Sequence, residues 1–95
     1  MVMTRIASAV EFETRIFPNP AAQNTSVDVA FYAAQAGPAQ FALYDLEGRM
    51  LRRGEWLLLA GRNQQSLPLS GVAAGMYLLE VRTVAGSSKA RLRVY

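Results

Sequence analysis

The chain has 95 residues, so it can bury one modest core and no second domain. It has no cysteine and no histidine, which removes disulfides, thiolate metal sites, the commonest general base and the commonest transition-metal ligand at once. Its net charge is +3 and nine of its ten basic residues are arginine, while an apolar share of 52% argues for a packed globule rather than a disordered tail.

The first ten residues, with one charge at Arg5 and a short apolar part, are too little for a secretory signal and read as a linker or a start added by cloning; the domain proper is expected over residues 11–95. Glu11 to Phe17 alternates as a strand and meets Pro18-Asn19-Pro20, where two missing N–H donors and two fixed φ angles must end it. Ser26 to Tyr32 sets Val27, Val29 and Phe31 on one face against Asp28 and Ala30 on the other, the cleanest half-buried strand in the chain. Ala33 to Pro38 breaks it, with Gly37-Pro38 as a turn.

Ala39 to Asp45 is the next strand, closed by the turn signal Asp45-Leu46-Glu47-Gly48. Arg49 to Ala60 is long for one strand and holds Gly54, which reads as a β-bulge or bend; a short helix over Glu55 to Ala60 is the competing reading. Gly61-Arg62-Asn63 reads as a turn, and Gln64 to Leu69 as a strand with Pro68 at an edge or an end. After the glycine-flanked turn Gly71 to Gly75, Tyr77, Leu79, Val81 and Thr83 share one face, and Met76, Leu78, Glu80 and Arg82 the other. Ala85 to Ser88 separates this strand from a last one ending at Tyr95, and the two are expected to pair as a terminal hairpin.

About seven short strands, spaced at about 10 to 12 residues with turns between them, predict an all-β fold, an antiparallel sandwich. No run approaches the ~18 apolar residues of a membrane span. The arginines are scattered along the strands, which reads as charged outer faces rather than a nucleic-acid stripe. Asp45 and Glu47 share one turn and read as turn-capping groups, since paired catalytic carboxylates come from separate elements across a cleft. The serines have no base to activate them, Gly71 to Gly75 lacks the Lys-Ser/Thr and the helix of a phosphate loop, and the acids do not match a calcium loop. Neither an enzyme nor a cofactor is expected. The aromatics Tyr32, Tyr44, Trp56, Tyr77 and the phenylalanines read as core, with a sugar-stacking face as the alternative.

Taken in order, Ile16-Phe17-Pro18-Asn19-Pro20, Leu43-Tyr44-Asp45-Leu46-Glu47-Gly48-Arg49, Leu69 to Val81, and Lys89-Ala90-Arg91-Leu92-Arg93-Val94 resemble the C-terminal sorting domain of type IX secretion, the Por secretion system. The resemblance covers residues of about 15 to 95. It implies a seven-stranded immunoglobulin-like sandwich carried behind an N-terminal cargo in Bacteroidetes-type bacteria. It implies a non-catalytic signal that passes through the periplasm, is recognised at the outer-membrane translocon and is removed by a sortase-like protease, leaving the cargo at the cell surface or outside.

Carried over, the residues expected to be recognised are Pro18, Asn19, Pro20, Asp45, Gly48, Gly71, Gly75, Tyr77, Lys89, Arg91, Arg93 and Val94, with cleavage in or before residues 1–14. Family members often carry paired lysines near the end, whereas here Lys89 stands alone and Arg91 and Arg93 take the basic positions. The last strand, with Arg91 and Arg93 outward, could pair with a partner's sheet, and an open edge leaves room for a weak edge-strand dimer. A carbohydrate-binding or adhesion sandwich appended to a secreted enzyme is the alternative function, and a structural spacer a third.

Overall fold

The structure is a computed structural model that describes residues 13–95. The expected linker over residues 1–10, the start of the first strand at Glu11 and most of the expected cleavage region lie outside the described residues. Seven strands follow: β1 (Thr14–Phe17), β2 (Ser26–Ala33), β3 (Gly37–Asp45), β4 (Met50–Leu58), β5 (Gly61–Pro68), β6 (Gly75–Thr83) and β7 (Gly86–Val94). They form two antiparallel sheets, a three-stranded one in the order β1-β2-β5 and a four-stranded one in the order β4-β3-β6-β7. This is an immunoglobulin-like sandwich, with sequence neighbours β2 and β3, β4 and β5, and β5 and β6 divided between the sheets.

Period-2 alternation decides which side of each strand is buried. Val27, Val29 and Leu67 from one sheet meet Leu43, Leu79, Val81 and Leu92 from the other, all at 2% exposure or less. Each such side chain contributes roughly 1.5–3 kcal/mol by leaving water. Leu69, in the loop after β5, is equally buried and anchors the β5–β6 connection in the same core.

Several local expectations shift. Gly54 is not the bulge: the register slips between Leu43 and Tyr44, which face Arg52 and Met50, so Leu51 is the extra residue. Gly54 pairs regularly with Phe41, and a Cβ there would lie 2.6 Å from Phe41 Cε2; glycine is present because the ring lies across the backbone. The stretch Glu55 to Leu58 is strand, not helix, held by its ladder to β3.

Gly37 and Pro38 belong to β3 rather than to the turn before it. Pro38 is tolerated because it pairs with Leu57 of β4 beyond the reach of β6, whose pairing with β3 begins at Gln40. Gly61, Arg62 and Asn63 likewise belong to β5, and the β4–β5 crossing is closed by buried Asn63. Its side-chain amide donates to the carbonyls of Leu59 at 2.8 Å and Gly61 at 3.1 Å, and its Oδ1 accepts from the Leu59 amide at 3.1 Å. The terminal hairpin forms as expected, with Thr83 opposite Gly86 and a tighter loop than the sequence suggested.

Candidate functional site

Four stretches far apart in sequence converge on one pole of the sandwich, where β1 and β7 end and β6 begins. At Pro18-Asn19-Pro20 the chain leaves β1 and crosses to the other sheet, with the Phe17-Pro18 and Asn19-Pro20 peptide bonds both cis. The prolines have no N–H to offer a ladder, and the Asn19 side chain does that work instead. Its Nδ2 donates to the Arg91 carbonyl at 2.8 Å and its Oδ1 accepts from the Arg93 amide at 3.0 Å.

The pairing then continues through the backbone in parallel. Ala21 donates to the Arg93 carbonyl at 2.8 Å, Tyr95 donates to the Ala21 carbonyl at 2.9 Å, and Gln23 donates to the Tyr95 carbonyl at 2.8 Å. The outward backbone groups of β7 from the Arg91 carbonyl onward are therefore occupied within the chain. This corrects the expectation of a last strand open to backbone pairing: its C-terminal half is already paired.

The turn after β3 is built on one carboxylate. Asp45 Oδ1 accepts from the amides of Glu47 and Arg49, each at 2.9 Å, and Oδ2 accepts from Arg49 Nε at 2.9 Å. The Arg49 amide above all, with its guanidinium and the Glu47 amide, holds the Asp45 carboxyl below its ordinary value of 3.8 against the opposing effect of desolvation. Gly48, at φ 86°, lets the turn close with its amide on the Asp45 carbonyl at 3.1 Å.

The β5–β6 connection is a tyrosine corner. Tyr77, buried near the start of β6, donates its hydroxyl to the Ala73 carbonyl at 2.5 Å, which folds the loop back on the strand it leads into. Within the loop Val72 donates to the Leu69 carbonyl at 3.0 Å, and Gly71 turns the chain at φ 80°. Outside ties fix it further: Arg52 Nη2 donates to the Ser70 carbonyl, and Leu69 donates to the Thr25 carbonyl at 2.8 Å.

Beside this pole, the outer face of the four-stranded sheet carries a shallow trough. Tyr44, Met76 and Leu78 give it an apolar floor, Asp45, Leu46 and Gly48 close one end, and Lys89 and Arg91 stand along the β7 side. Glu80 lies in it, half-buried, with Arg82 Nη2 at 3.3 Å.

The profile of the secretion system C-terminal sorting domain matches residues 15–94, nearly the whole chain. The chain belongs to that family. No curated protein matches it. Among solved structures, the CARDB domain of a Pyrococcus furiosus protein, solved in complex with di-metal ions, is similar at 12% identity and a TM-score of 0.48, over 87% of this chain and 89% of its own. The chain is thus a type IX secretion C-terminal sorting signal, a domain that works with that machinery behind an N-terminal cargo and addresses it to the cell surface or outside. The family is one of sorting signals and not of catalysts.

Within this sorting domain the expected recognition residues divide by their place at the pole. Asp45, Gly48, Lys89 and Arg91 line the trough, while Arg93 is exposed next along β7 and Pro18, Asn19 and Pro20 are exposed at its edge. Gly71 and Gly75 shape the corner, and Tyr77 and Val94 are buried at 7% and 2%, so these four hold the pole together. Sequence reasoning passed over Tyr44, Met76 and Leu78 as trough residues. Their outward parity was readable, and apolar side chains at outward positions were the signal.

Trp56 stacks on Phe41 at 4.3 Å between ring centroids and lies 6.1 Å from Phe31. It is packed against the core, not presented as a platform for a sugar. Among the described residues no three acidic side chains converge where a metal could sit, and no helix is long and apolar enough to cross a membrane.

Proposed function

We propose that the outer-membrane translocon recognises this sorting domain by its trough-bearing pole, through the side chains of Lys89, Arg91 and Arg93 and the Asp45 to Gly48 turn, and that a sortase-like protease then cuts on the cargo side. What carries this reading is the gathering of Pro18-Asn19-Pro20, the Asp45 turn, the tyrosine corner and the end of β7 at one pole. The chain enters at the other pole: Thr14 faces Phe31 near the far end of β2, and its hydroxyl hydrogen-bonds Ser88 Oγ at 2.9 Å inside the protein. Cleavage then falls before Thr14, with recognition and cutting at opposite ends of the domain. A folded sandwich would present both at once.

The test is a periplasmic reporter fused ahead of the 95-residue chain in a host competent for type IX secretion. The native domain should bring the reporter to the surface and lose its N-terminal junction to the protease. Combined Lys89→Glu, Arg91→Glu and Arg93→Glu should leave it folded in the periplasm, because all three side chains are exposed. Periplasmic retention of the native fusion, or unchanged export of the charge-reversed one, overturns the proposal.

A further inference from the structure

Four strand edges bound the two sheets, and they are not equally guarded. β1 is short and ends at a proline, and β7 is paired along its C-terminal half by residues 19–23. β5 exposes Arg62, Gln64 and Ser66 and ends in Pro68, so it offers polar side chains and no apolar grip. β4 differs. It runs from Met50 to Leu58 along the outer edge of the four-stranded sheet, its one irregularity is at Leu51, and Leu57 is 81% exposed. An exposed apolar edge of this length is an open template for another strand.

We propose that β4 is a homodimer edge: two copies of the chain pair β4 against β4, antiparallel, about a two-fold axis through Gly54, joining their four-stranded sheets into one continuous sheet. The choice of a second copy rests on charge. In antiparallel self-pairing about Gly54, Arg53 stands opposite the partner's Glu55, and Glu55 opposite the partner's Arg53. At the ends of the run, Leu51 stands opposite the partner's Leu57.

Arg53 and Glu55 are both exposed, and neither makes an ion pair among the described residues. The neighbouring registers are penalised. A two-fold axis moved to Arg53 sets that arginine directly against its own copy, and one moved to Glu55 sets two glutamates together; like charges directly opposite each other destabilise a sheet. The pairing face-parity excludes registers between these. Sequence and edge therefore agree on one alignment, and an isologous contact of this kind closes on itself rather than propagating into a fibre.

Sedimentation of the 95-residue chain at concentrations up to about 1 mM is expected to show a monomer–dimer equilibrium, as suits a small, partly polar interface. Raising the salt to about 1 M should weaken it, because screening then acts over about 3 Å. Arg53→Glu alone and Glu55→Arg alone should each raise the dimer Kd at least about tenfold, since two attractions become repulsions. Mixing the two variants should restore association as a heterodimer, because each then meets its opposite charge at both positions. Leu57→Lys, remote from the central charges, should also weaken the native dimer.

A native chain that stays monomeric throughout overturns the proposal. So do single variants that associate as the native chain does, or an equimolar mixture that stays monomeric while the native chain pairs. Far-ultraviolet dichroism of each variant confirms that the fold compared is the same. None of these results bears on export, so this proposal and the recognition pole fail separately.

Discussion

Asn19→Ala removes the side-chain clamp at the edge of β7 and leaves the rest of the crossing in place. Two hydrogen bonds go, the 2.8 Å bond to the Arg91 carbonyl and the 3.0 Å bond from the Arg93 amide. A typical hydrogen bond contributes roughly 0.5–1.5 kcal/mol net, and the freed β7 groups are near enough to the surface to take water instead, which favours the lower half of that range. The expected loss is about 1–2 kcal/mol, or a Tm drop of roughly 5–10 °C for a domain of this size. Urea unfolding should show a lower midpoint at an unchanged m-value, since the surface exposed on unfolding is the same. The residue-specific readout is amide exchange: Arg93 should lose its protection, while Tyr95, held by the Ala21 carbonyl at 2.9 Å, keeps more of its own. A Tm within about 2 °C of the native value, or an Arg93 amide that stays protected, would refute the clamp.

Two further substitutions test the local readings. Gly54→Ala should destabilise by about 1–3 kcal/mol, because the new Cβ would lie 2.6 Å from Phe41 Cε2, whereas alanine in an ordinary strand position improves on glycine. Combining it with Phe41→Leu should recover part of that loss, and strictly additive effects in thermal unfolding would contradict the ring contact. The Asp45 carboxyl, held below 3.8 chiefly by the Arg49 amide, contributes stability that is present above the unfolded-state value and disappears as the pH falls through the lowered folded-state one. Urea midpoints measured downward from pH 6 should therefore fall more steeply below about pH 4 for the native chain than for Asp45→Asn, and parallel curves would remove the turn's carboxylate from the acid limb.

What the sequence made legible was whatever a strand writes into its own alternation. Val27, Val29 and Phe31 in β2, and Tyr77, Leu79 and Val81 in β6, are all buried as their period-2 spacing demands. Contacts between strands were not legible in the same way. Gly54 signalled either a bulge or a close approach, and only the pairing with Phe41 decides between them. The tyrosine corner had its glycines and its tyrosine in view, but the bond from Tyr77 to Ala73 exists only once the loop has folded back on β6. Pro18-Asn19-Pro20 announced the end of a strand. That its asparagine clamps residues 72 and 74 positions further on is a property of the crossing between sheets.

This last contact bears on how a sorting domain can be read by its machinery. If β7 had an open edge, a partner could take hold of its backbone, and side-chain identity along Arg91 to Val94 would matter little. Residues 19–23 occupy that edge, so under the proposed reading recognition of β7 would fall to what projects from the sheet: Lys89, Arg91 and Arg93 on the exposed side, beside the apolar floor of Tyr44, Met76 and Leu78. Trimming the chain after Ala90 cannot separate the two modes, because it also deletes Leu92 and Val94 from the core and unpairs Ala21 and Gln23. Charge reversal at the three basic positions can. It leaves every backbone bond of β7 in place, so recognition by backbone alone would survive it, whereas recognition by side chains would be lost in a domain that remains folded.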